Sequence, residues 1–316
     1  MKPPVFEYLA PTNLDDALAA LAADPGDARP LAGGQSLVPM LNFRLAAPAI
    51  LVDLNGVTEL AGVRERSDGG LSIGAMTRQR VLERDPRIAS RAPLLAEAAP
   101  WIAHGQIRTR GTVGGSVAHA DPAAELPAVL LVLGASVRLA RAGDRDVDSD
   151  DENGGGRPGR FERELPATEF FLGPFFTALA PEELLTSIDV PRIQAREGTA
   201  FEEVARRRGD YAIVGAAARV RLDGSGLCVD AALSLINAGA TPCLCAGAAD
   251  VLRGGAVTRG SLTAAAAAAA TECEPAADMH GSEAYRRHLV RVLAERTLAR
   301  AAERAARRTA EGEPAP

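Results

Sequence analysis

The sequence predicts an α+β protein with two differently patterned halves, and three observations carry that prediction. Residues 1–55 alternate strand-like and helix-like segments, which implies a small parallel sheet. From about residue 178 onward the strand-like runs are joined by the turn Asp223-Gly224-Ser225-Gly226 and followed by helical periodicity, which implies an antiparallel sheet with helices. Between and beside these patterns stand two glycine pairs in hydroxyl-bearing segments, Ala32-Gly33-Gly34-Gln35-Ser36 and Thr112-Val113-Gly114-Gly115-Ser116. Adjacent glycines turn tightly and admit close approach, and the amides they expose bind phosphate oxygens.

Taken in order, Phe6 to Leu9 reads as a short strand, and Thr12-Asn13-Leu14-Asp15 resembles a capping box with Asp15 in place of the usual Glu. Leu14, Ala17, Leu18 and Leu21 then mark one apolar helix face, ended by Pro25-Gly26-Asp27. Arg29 to Ala32 is the next strand, Leu37 to Leu45 a helix, and Ile50 to Leu54 a buried strand. The first glycine pair thus follows the middle of three strands, at a carboxyl end, where α/β sheets place ligands. Leu71 to Ala75 reads as a strand, residues 77–84 and 93–103 as helices, Pro122 to Leu133 as a helix with Pro122 near its start, and Ser136 to Ala140 as a strand. Residues 141–160 carry almost no apolar side chains and read as a mobile loop inserted at a hairpin. The cluster Phe170-Phe171-Leu172-Gly173-Pro174-Phe175-Phe176 reads as core or interface. A turn and a strand follow at 181–191. Residues 201–204, 212–221 and 229–237 give three antiparallel strands, and helices follow at 244–253, 261–272 and 282–307. The last helix starts at Ser282 with Tyr285, Leu289, Val292 and Leu293 on one face, and 308–316 reads as a frayed tail.

A length of 316 residues with 47% hydrophobic content supports two domains, or one large domain and a smaller one. The net charge of -6 argues against a nucleic-acid surface. No apolar run of about 18 residues marks a membrane span. The stretch Met1-Lys2-Pro3-Pro4 lacks a signal peptide's apolar core, so the expected location is the cytoplasm. Of the cysteines, only Cys243 and Cys245 are close in sequence, and a C-x-C pair falls short of a zinc or iron–sulfur ligand set. They read as small buried hydrophobes in a reducing compartment, so any iron–sulfur chemistry belongs to another chain.

A single Gly-Gly is most often only a tight turn. Here two pairs both precede helical segments, and the second is followed by Asp121 and Glu125, carboxylates able to accept hydrogen bonds from ribose hydroxyls. The two segments are therefore expected to face each other across one dinucleotide, with helix N-termini adding positive potential toward the pyrophosphate. The spacing is not G-x-G-x-x-G, which disfavours an ordinary Rossmann domain. No acid/base pair, nucleophile elbow or metal cluster stands out, and His119, inside the second segment, reads as loop structure. That lack of catalytic side chains suits a protein whose chemistry belongs to a bound redox cofactor.

The segment Ala32-Gly33-Gly34-Gln35-Ser36-Leu37-Val38-Pro39 resembles the first FAD loop of the flavoprotein (medium) subunits of molybdenum hydroxylases, the carbon monoxide dehydrogenase and xanthine dehydrogenase family. Gln106 to Ser116 resembles the second loop, and Asp121-Pro122-Ala123-Ala124-Glu125-Leu126-Pro127 continues it. Further agreement lies at Val52-Asp53-Leu54, Ile73-Gly74-Ala75-Met76-Thr77, Gly209-Asp210-Tyr211-Ala212 and Asn237-Ala238-Gly239-Ala240-Thr241-Pro242, so the resemblance spans roughly residues 3–305. It departs at Gln35, where many relatives have His, and at Ser116, where many have Asn; both keep hydrogen-bonding capacity.

The resemblance implies a two-subdomain FAD-binding fold of the p-cresol methylhydroxylase / vanillyl-alcohol oxidase type. The subdomains would be about 1–55 and 56–177, with a C-terminal domain at 178–307 built on a three-stranded antiparallel sheet with helices. It implies FAD contacts at Ala32, Gly33, Gly34, Gln35, Ser36 and Leu37 and at Thr112, Gly114, Gly115 and Ser116, with Asp121 nearby and Glu125 on the adenosine ribose. Ile102 and, more weakly, Leu185 would line the isoalloxazine. The implied activity is electron transfer: a molybdopterin-binding large subunit oxidises the substrate, a [2Fe–2S] small subunit relays electrons, and FAD on this chain delivers them to an external acceptor. The expected assembly is a dimer of heterotrimers. The alternative is a stand-alone flavin-dependent oxidase of the same fold, which requires an acid/base residue beside the flavin; none is evident.

Overall fold

The computed structural model describes residues 2–143 and 159–310. The chain opens with β1 (Glu7–Leu9), α1 (Leu14–Ala23), β2 (Ala28–Leu31), α2 (Leu37–Asn42) and β3 (Ile50–Asp53). These strands form the expected parallel sheet, in the order β1-β3-β2. The strand that precedes the first glycine pair is therefore an edge strand; β3, last in sequence, takes the centre, pairing with both β1 and β2. Leu14, Ala17, Leu18 and Leu21 are all buried, as their spacing predicts. The cap differs from expectation. Asn13 holds extended backbone, and its Oδ1 accepts from the amide of Asp16 at 2.9 Å, so Asn13 rather than Thr12 closes the helix.

Next come β4 (Val63–Glu65), β5 (Leu71–Gly74), α3 (Gln79–Arg84), α4 (Pro86–Arg91), α5 (Pro93–Ala98), α6 (Gly105–Arg110), α7 (Val113–His119) and α8 (Glu125–Leu133). The expected helix over 93–103 breaks after Ala98 into one 3₁₀ turn, and α8 begins at Glu125 because Asp121 first closes a turn, its Oδ1 accepting from the amide of Ala123 at 2.9 Å. All nine residues of α8 are buried. A helix that is apolar all round belongs in a core, and its one ionisable residue is Glu125.

β6 (Ser136–Ala142) and β7 (Arg160–Pro166) pair antiparallel from Ser136↔Pro166 to Ala142↔Arg160. Arg141, Ala142 and Arg160 are therefore strand residues, not loop; the remainder of the expected mobile insertion, 144–158, lies outside the described residues. Short α9 (Ala167–Phe170), β8 (Phe171–Gly173) and β9 (Phe176–Thr177) split the phenylalanine cluster, burying Phe170 while Phe175 and Phe176 stay exposed. β10 (Leu184–Val190) lies beyond residue 178, yet it is the centre of the five-stranded sheet β4-β5-β10-β6-β7.

The C-terminal sheet has four strands, not three: β11 (Glu197–Ala205), β12 (Ala212–Leu222), β13 (Cys228–Ile236) and β14 (Cys243–Leu244), hydrogen-bonded in that order. The extra strand is two residues long, below what periodicity detects. α10 (Ala246–Leu252), α11 (Arg259–Glu272) and α12 (Glu283–Ala310) cover one face. On α12 the buried row is Leu289, Val290, Leu293, Ala294, Leu298 and Ala301, while Tyr285 is exposed and Val292 half-buried. The helix continues through 308–310, and the rest of the expected frayed tail, 311–316, lies outside the described residues. The other face of the sheet joins the first core: Phe201, Ala217 and Ile236 pack with Leu126 and Leu95. Among the described residues no helix is long and apolar enough to cross a membrane.

The cap assignment predicts that Asn13→Ala lowers stability by about 1 kcal/mol, whereas Thr12→Ala stays within about 0.5 kcal/mol. Urea midpoints of the two variants, at unchanged m-value, measure the difference.

Candidate cofactor site

The two glycine segments meet backbone to backbone. A Cβ placed on Gly33 would stand 2.6 Å from the carbonyl oxygen of Arg110 and 2.7 Å from Cα of Gly111, and one placed on Gly115 would stand 3.4 Å from Cβ of Ala32. Two side chains bind the crossing together. Asn55 Nδ2 donates to the carbonyl of Ala32 at 3.0 Å, and Arg78 donates both to Asn55 Oδ1 at 2.7 Å and to the carbonyl of Arg110. Asn55 is in turn fixed by Asp53, which accepts from its amide at 2.9 Å and from the Tyr8 hydroxyl. Burial opposes ionisation of Asp53, but the hydrogen bonds from Tyr8 and Asn55 outweigh it and hold the carboxyl below its usual range.

The segments differ in what they can offer a ligand. In the first, Gly34 takes φ 72° and Gln35 Nε2 donates to the carbonyl of Gly33 at 3.0 Å. The amides of Gly33, Gly34, Gln35 and Ser36 meet no protein acceptor among the described residues, and all four residues are half-buried. In the second, the glycines lie inside the first turn of α7, not in a loop before it. Its leading amides are already used: Val113 donates to Thr77 O at 2.9 Å, Gly114 to Ala75 O at 2.8 Å, Gly115 to Thr112 Oγ1 at 3.0 Å and Ser116 to Thr112 O at 3.2 Å. A Cβ on Gly114 would stand 2.4 Å from Cβ of Ala75, so this glycine is a packing requirement. Most of the amides without a protein acceptor therefore lie in the first segment, while in the second only that of Thr112 lacks one among the described residues.

The remaining expected residues divide. Asp121 is half-buried, with one oxygen spent on the Ala123 amide. Glu125 is only 6% exposed, and burial, reinforced by Asp121 and opposed by its own backbone amide and Arg108, raises its carboxyl pKa to about 7. Ile102 and Leu185 are buried in the main core rather than displayed on an open face; Leu37 and Ser116 are half-buried. His119 packs against Phe175 with ring centroids 5.0 Å apart and the rings tilted by 49°. Burial lowers its pKa, with Asp121 opposing that shift.

Sequence reasoning gave no role to several residues that shape the site. Asn237, at φ 54°, donates its amide to the carbonyl of Pro122 at 2.8 Å and its side chain to Ala212 O at 2.7 Å. Arg286, 1% exposed, donates to Ile213 O at 2.6 Å and pairs with Asp278 at 2.5 Å, which holds that carboxyl below its usual range. The C-terminal domain thus clamps the turn between α7 and α8. Beside the glycine crossing, a groove of about 480 Å³ is lined by Arg78, Arg80, Val81, Arg84, Asp85 and Thr109. The available signal was an arginine in otherwise apolar helical periodicity, which reads as solvated until its partners are seen. Among the described residues no His, Cys, Asp or Glu cluster could hold a metal ion, and Cys243 and Cys245 are free thiols with sulfurs 3.9 Å apart.

Residues 4–151 match the FAD binding domain in molybdopterin dehydrogenase, and residues 199–301 match the CO dehydrogenase flavoprotein C-terminal domain. The 6-hydroxypseudooxynicotine dehydrogenase complex subunit alpha of Paenarthrobacter nicotinovorans is 43% identical over 96% of this chain and 97% of its own length. The chain belongs to the FAD-binding medium-subunit family of the molybdenum hydroxylases. Its members include the carbon monoxide dehydrogenase medium chain of Afipia carboxidovorans, 38% identical over 96% of this chain and 99% of that one. Among solved structures, carbon monoxide dehydrogenase from Hydrogenophaga pseudoflava superposes with TM-score 0.87 at 38% identity, covering 96% of this chain and 99% of its own. Quinoline 2-oxidoreductase from Pseudomonas putida 86 gives 0.86 at 38%, with the same coverage. The medium-subunit fold is thus an α+β FAD-binding fold, and this chain is an oxidoreductase subunit that carries FAD.

Because Arg78 bridges both glycine segments, Arg78→Met should weaken FAD retention about tenfold while leaving the circular dichroism spectrum unchanged, the loss expected for one charge-assisted hydrogen bond. Flavin fluorescence titration of the purified variant reads it.

Proposed function

We propose that this chain holds one FAD with its pyrophosphate on the amides of Gly33, Gly34, Gln35 and Ser36, and that it works as the electron-transfer subunit between a [2Fe–2S] partner and an external acceptor. The observation that carries the reading is the row of four amides without a protein acceptor, beginning at Gly33, which rests on the Arg110–Gly111 backbone. Buried or half-buried amides need acceptors, and a pyrophosphate supplies them.

In this reading the first segment binds the phosphates and Thr112, Gly114, Gly115 and Ser116 shape the opposite wall. Asp121 and Glu125 accept hydrogen bonds from sugar hydroxyls of the cofactor. Ile102 and Leu185 back the flavin from the core, excluding water. FAD, when bound, supplies the ability to take up electrons and pass them on. The protein's own residues hold it, fix its orientation and shield it. The fold is of the p-cresol methylhydroxylase / vanillyl-alcohol oxidase type, with clamp subdomains about 1–55 and 56–177. Because β10 completes the five-stranded sheet, the clamp extends through Val190 before the C-terminal domain begins. The partners are a molybdopterin-binding large subunit and a [2Fe–2S] small subunit in a cytoplasmic dimer of heterotrimers. The relatives named as a complex subunit and as medium chains support that assembly.

The purified full chain should show the visible spectrum of a flavoprotein. A colourless preparation that cannot be reconstituted with FAD overturns the reading. Gly115→Val should abolish retention, because its Cβ would stand 2.6 Å from Thr112 Oγ1 and press on Ala32. Stoichiometric FAD in that variant would show the segment to be only a turn.

A further inference from the structure

We propose that Cys243 and Cys245 form a redox-active dithiol, a modification site that exchanges with a small-molecule disulfide and closes into a Cys243–Cys245 disulfide. The site is independent of the flavin reading, because the pair lies in the C-terminal domain and thiol–disulfide exchange needs no cofactor.

Its placement follows from strand alternation. β14 is the outer strand of the C-terminal sheet, held by the pairs Ser234↔Leu244 and Leu235↔Cys243. The amide of Cys245 extends the ladder, donating to the carbonyl of Leu233 at 2.8 Å. Side chains two apart on such a segment share one face. Leu244 is accordingly exposed, while both cysteines join the core between the sheet and its covering helices. Their thiols are free and their sulfurs stand 3.9 Å apart. Two residues of strand span about 6.7 Å, within the Cα separation that a disulfide accepts, so side-chain rotation can bring the sulfurs to the bonding distance of about 2 Å.

The two thiols are unequal. Cys243 is half-buried at the sheet edge, whereas Cys245 is 1% exposed. The hydrogen bond from Cys245 holds the Cys243 thiol below its ordinary range, with burial and Glu272 opposing. The same contact, together with burial, pushes Cys245 up. The thiolate is the attacking form and must meet its partner from solvent, so Cys243 is the attacking sulfur and Cys245 the resolving one. The carboxylate of Glu272 is occupied by the amides of Gly247 and Ala248, at 3.0 and 3.1 Å. The other two cysteines turn to carbonyls: buried Cys273 to Ala270 at 3.7 Å, and buried Cys228 to Asp230 at 3.4 Å.

The exchange balances in two steps. The Cys243 thiolate attacks one sulfur of a small disulfide RSSR, forming a mixed disulfide and releasing one thiolate. Cys245, giving up its proton, then attacks Cys243 Sγ and displaces the second. Two protein thiols are oxidised to one disulfide, one RSSR is reduced to two RSH, and the two protons lost by the cysteines end on the two RSH. The closed ring spans only three residues, so the bond removes less entropy from the unfolded chain than a long-range crosslink and is not a structural staple. In a reducing compartment a bond of this kind is transient and redox-sensing.

Incubating the full chain with glutathione disulfide at neutral pH tests the site. Thiols counted after denaturation should fall from four to two. The mass should fall by two hydrogens, peptide mapping should join Cys243 to Cys245, and dithiothreitol should restore all four thiols. Cys245→Ser should stop at the mixed disulfide, gaining one glutathionyl group on Cys243. Cys243→Ser should gain none and lose no thiols, and Cys273→Ser should leave the crosslink unchanged. No reaction of the unsubstituted chain, a glutathionyl adduct on it that never resolves, or a crosslink that includes Cys228 or Cys273 overturns the proposal. These outcomes are read on the unsubstituted chain, so a variant that fails to fold does not blunt the test.

Discussion

The site depends on one steric constraint: main chain must cross main chain with no side chain between. Gly33 rests on Arg110–Gly111, and Gly114 rests on Ala75 at the end of β5. The first contact joins the parallel subdomain to the larger one, and the second joins α7 to the five-stranded sheet. Repulsion rises steeply once heavy atoms come inside van der Waals contact, so a single methyl at either point separates elements that the rest of the fold presumes adjacent. The hydrogen bonds of Arg78 and Asn55 hold a contact that the glycines make possible.

That crossing also sorts the backbone amides. Those of α7 are drawn to Ala75, Thr77 and Thr112, because the close approach brings those acceptors within reach. Those of residues 33–36 remain without a protein acceptor, in a segment that turns at the positive φ of Gly34. Free amides are thus concentrated on one side of a crossing whose two sides look alike in sequence. The adjacent arginines at 78, 80 and 84 add positive potential to the same neighbourhood.

What could be read from the sequence follows physical range. Periodicity is local, so α1 and its buried face, the parallel sheet, α8 and the antiparallel strands were all legible. The glycine pairs were legible as features because few residue types permit such geometry. Strand order was not, since β3 comes last yet sits in the middle, and β10 crosses the expected division to centre a sheet. Nor was the state of an amide or a carboxyl, which depends on what packs against it from far along the chain. Gly114 and Gly33 carry the same letter, and only the fold shows that one packs against β5 while the other exposes donors. Ile102 and Leu185 are plainly apolar in the sequence, but their burial in the main core is a tertiary outcome.

The C-terminal domain is more than a cover for the clamp. Its α12 is anchored to the sheet by Arg286, a buried guanidinium that holds the carbonyl of Ile213 and the carboxylate of Asp278. Through Asn237 the same region grips Pro122, in the turn between α7 and α8. Helix α8 is then enclosed by apolar packing along its whole length, leaving Glu125 as the one point on it where charge can enter. A lone carboxyl there could stay neutral at modest cost. On β11, Glu203 is likewise buried, beside Gly215, with both carboxyl oxygens lacking a hydrogen-bond partner. Apolar side chains at these two positions would cost less to bury. The fold instead carries two carboxyls where burial favours their neutral form.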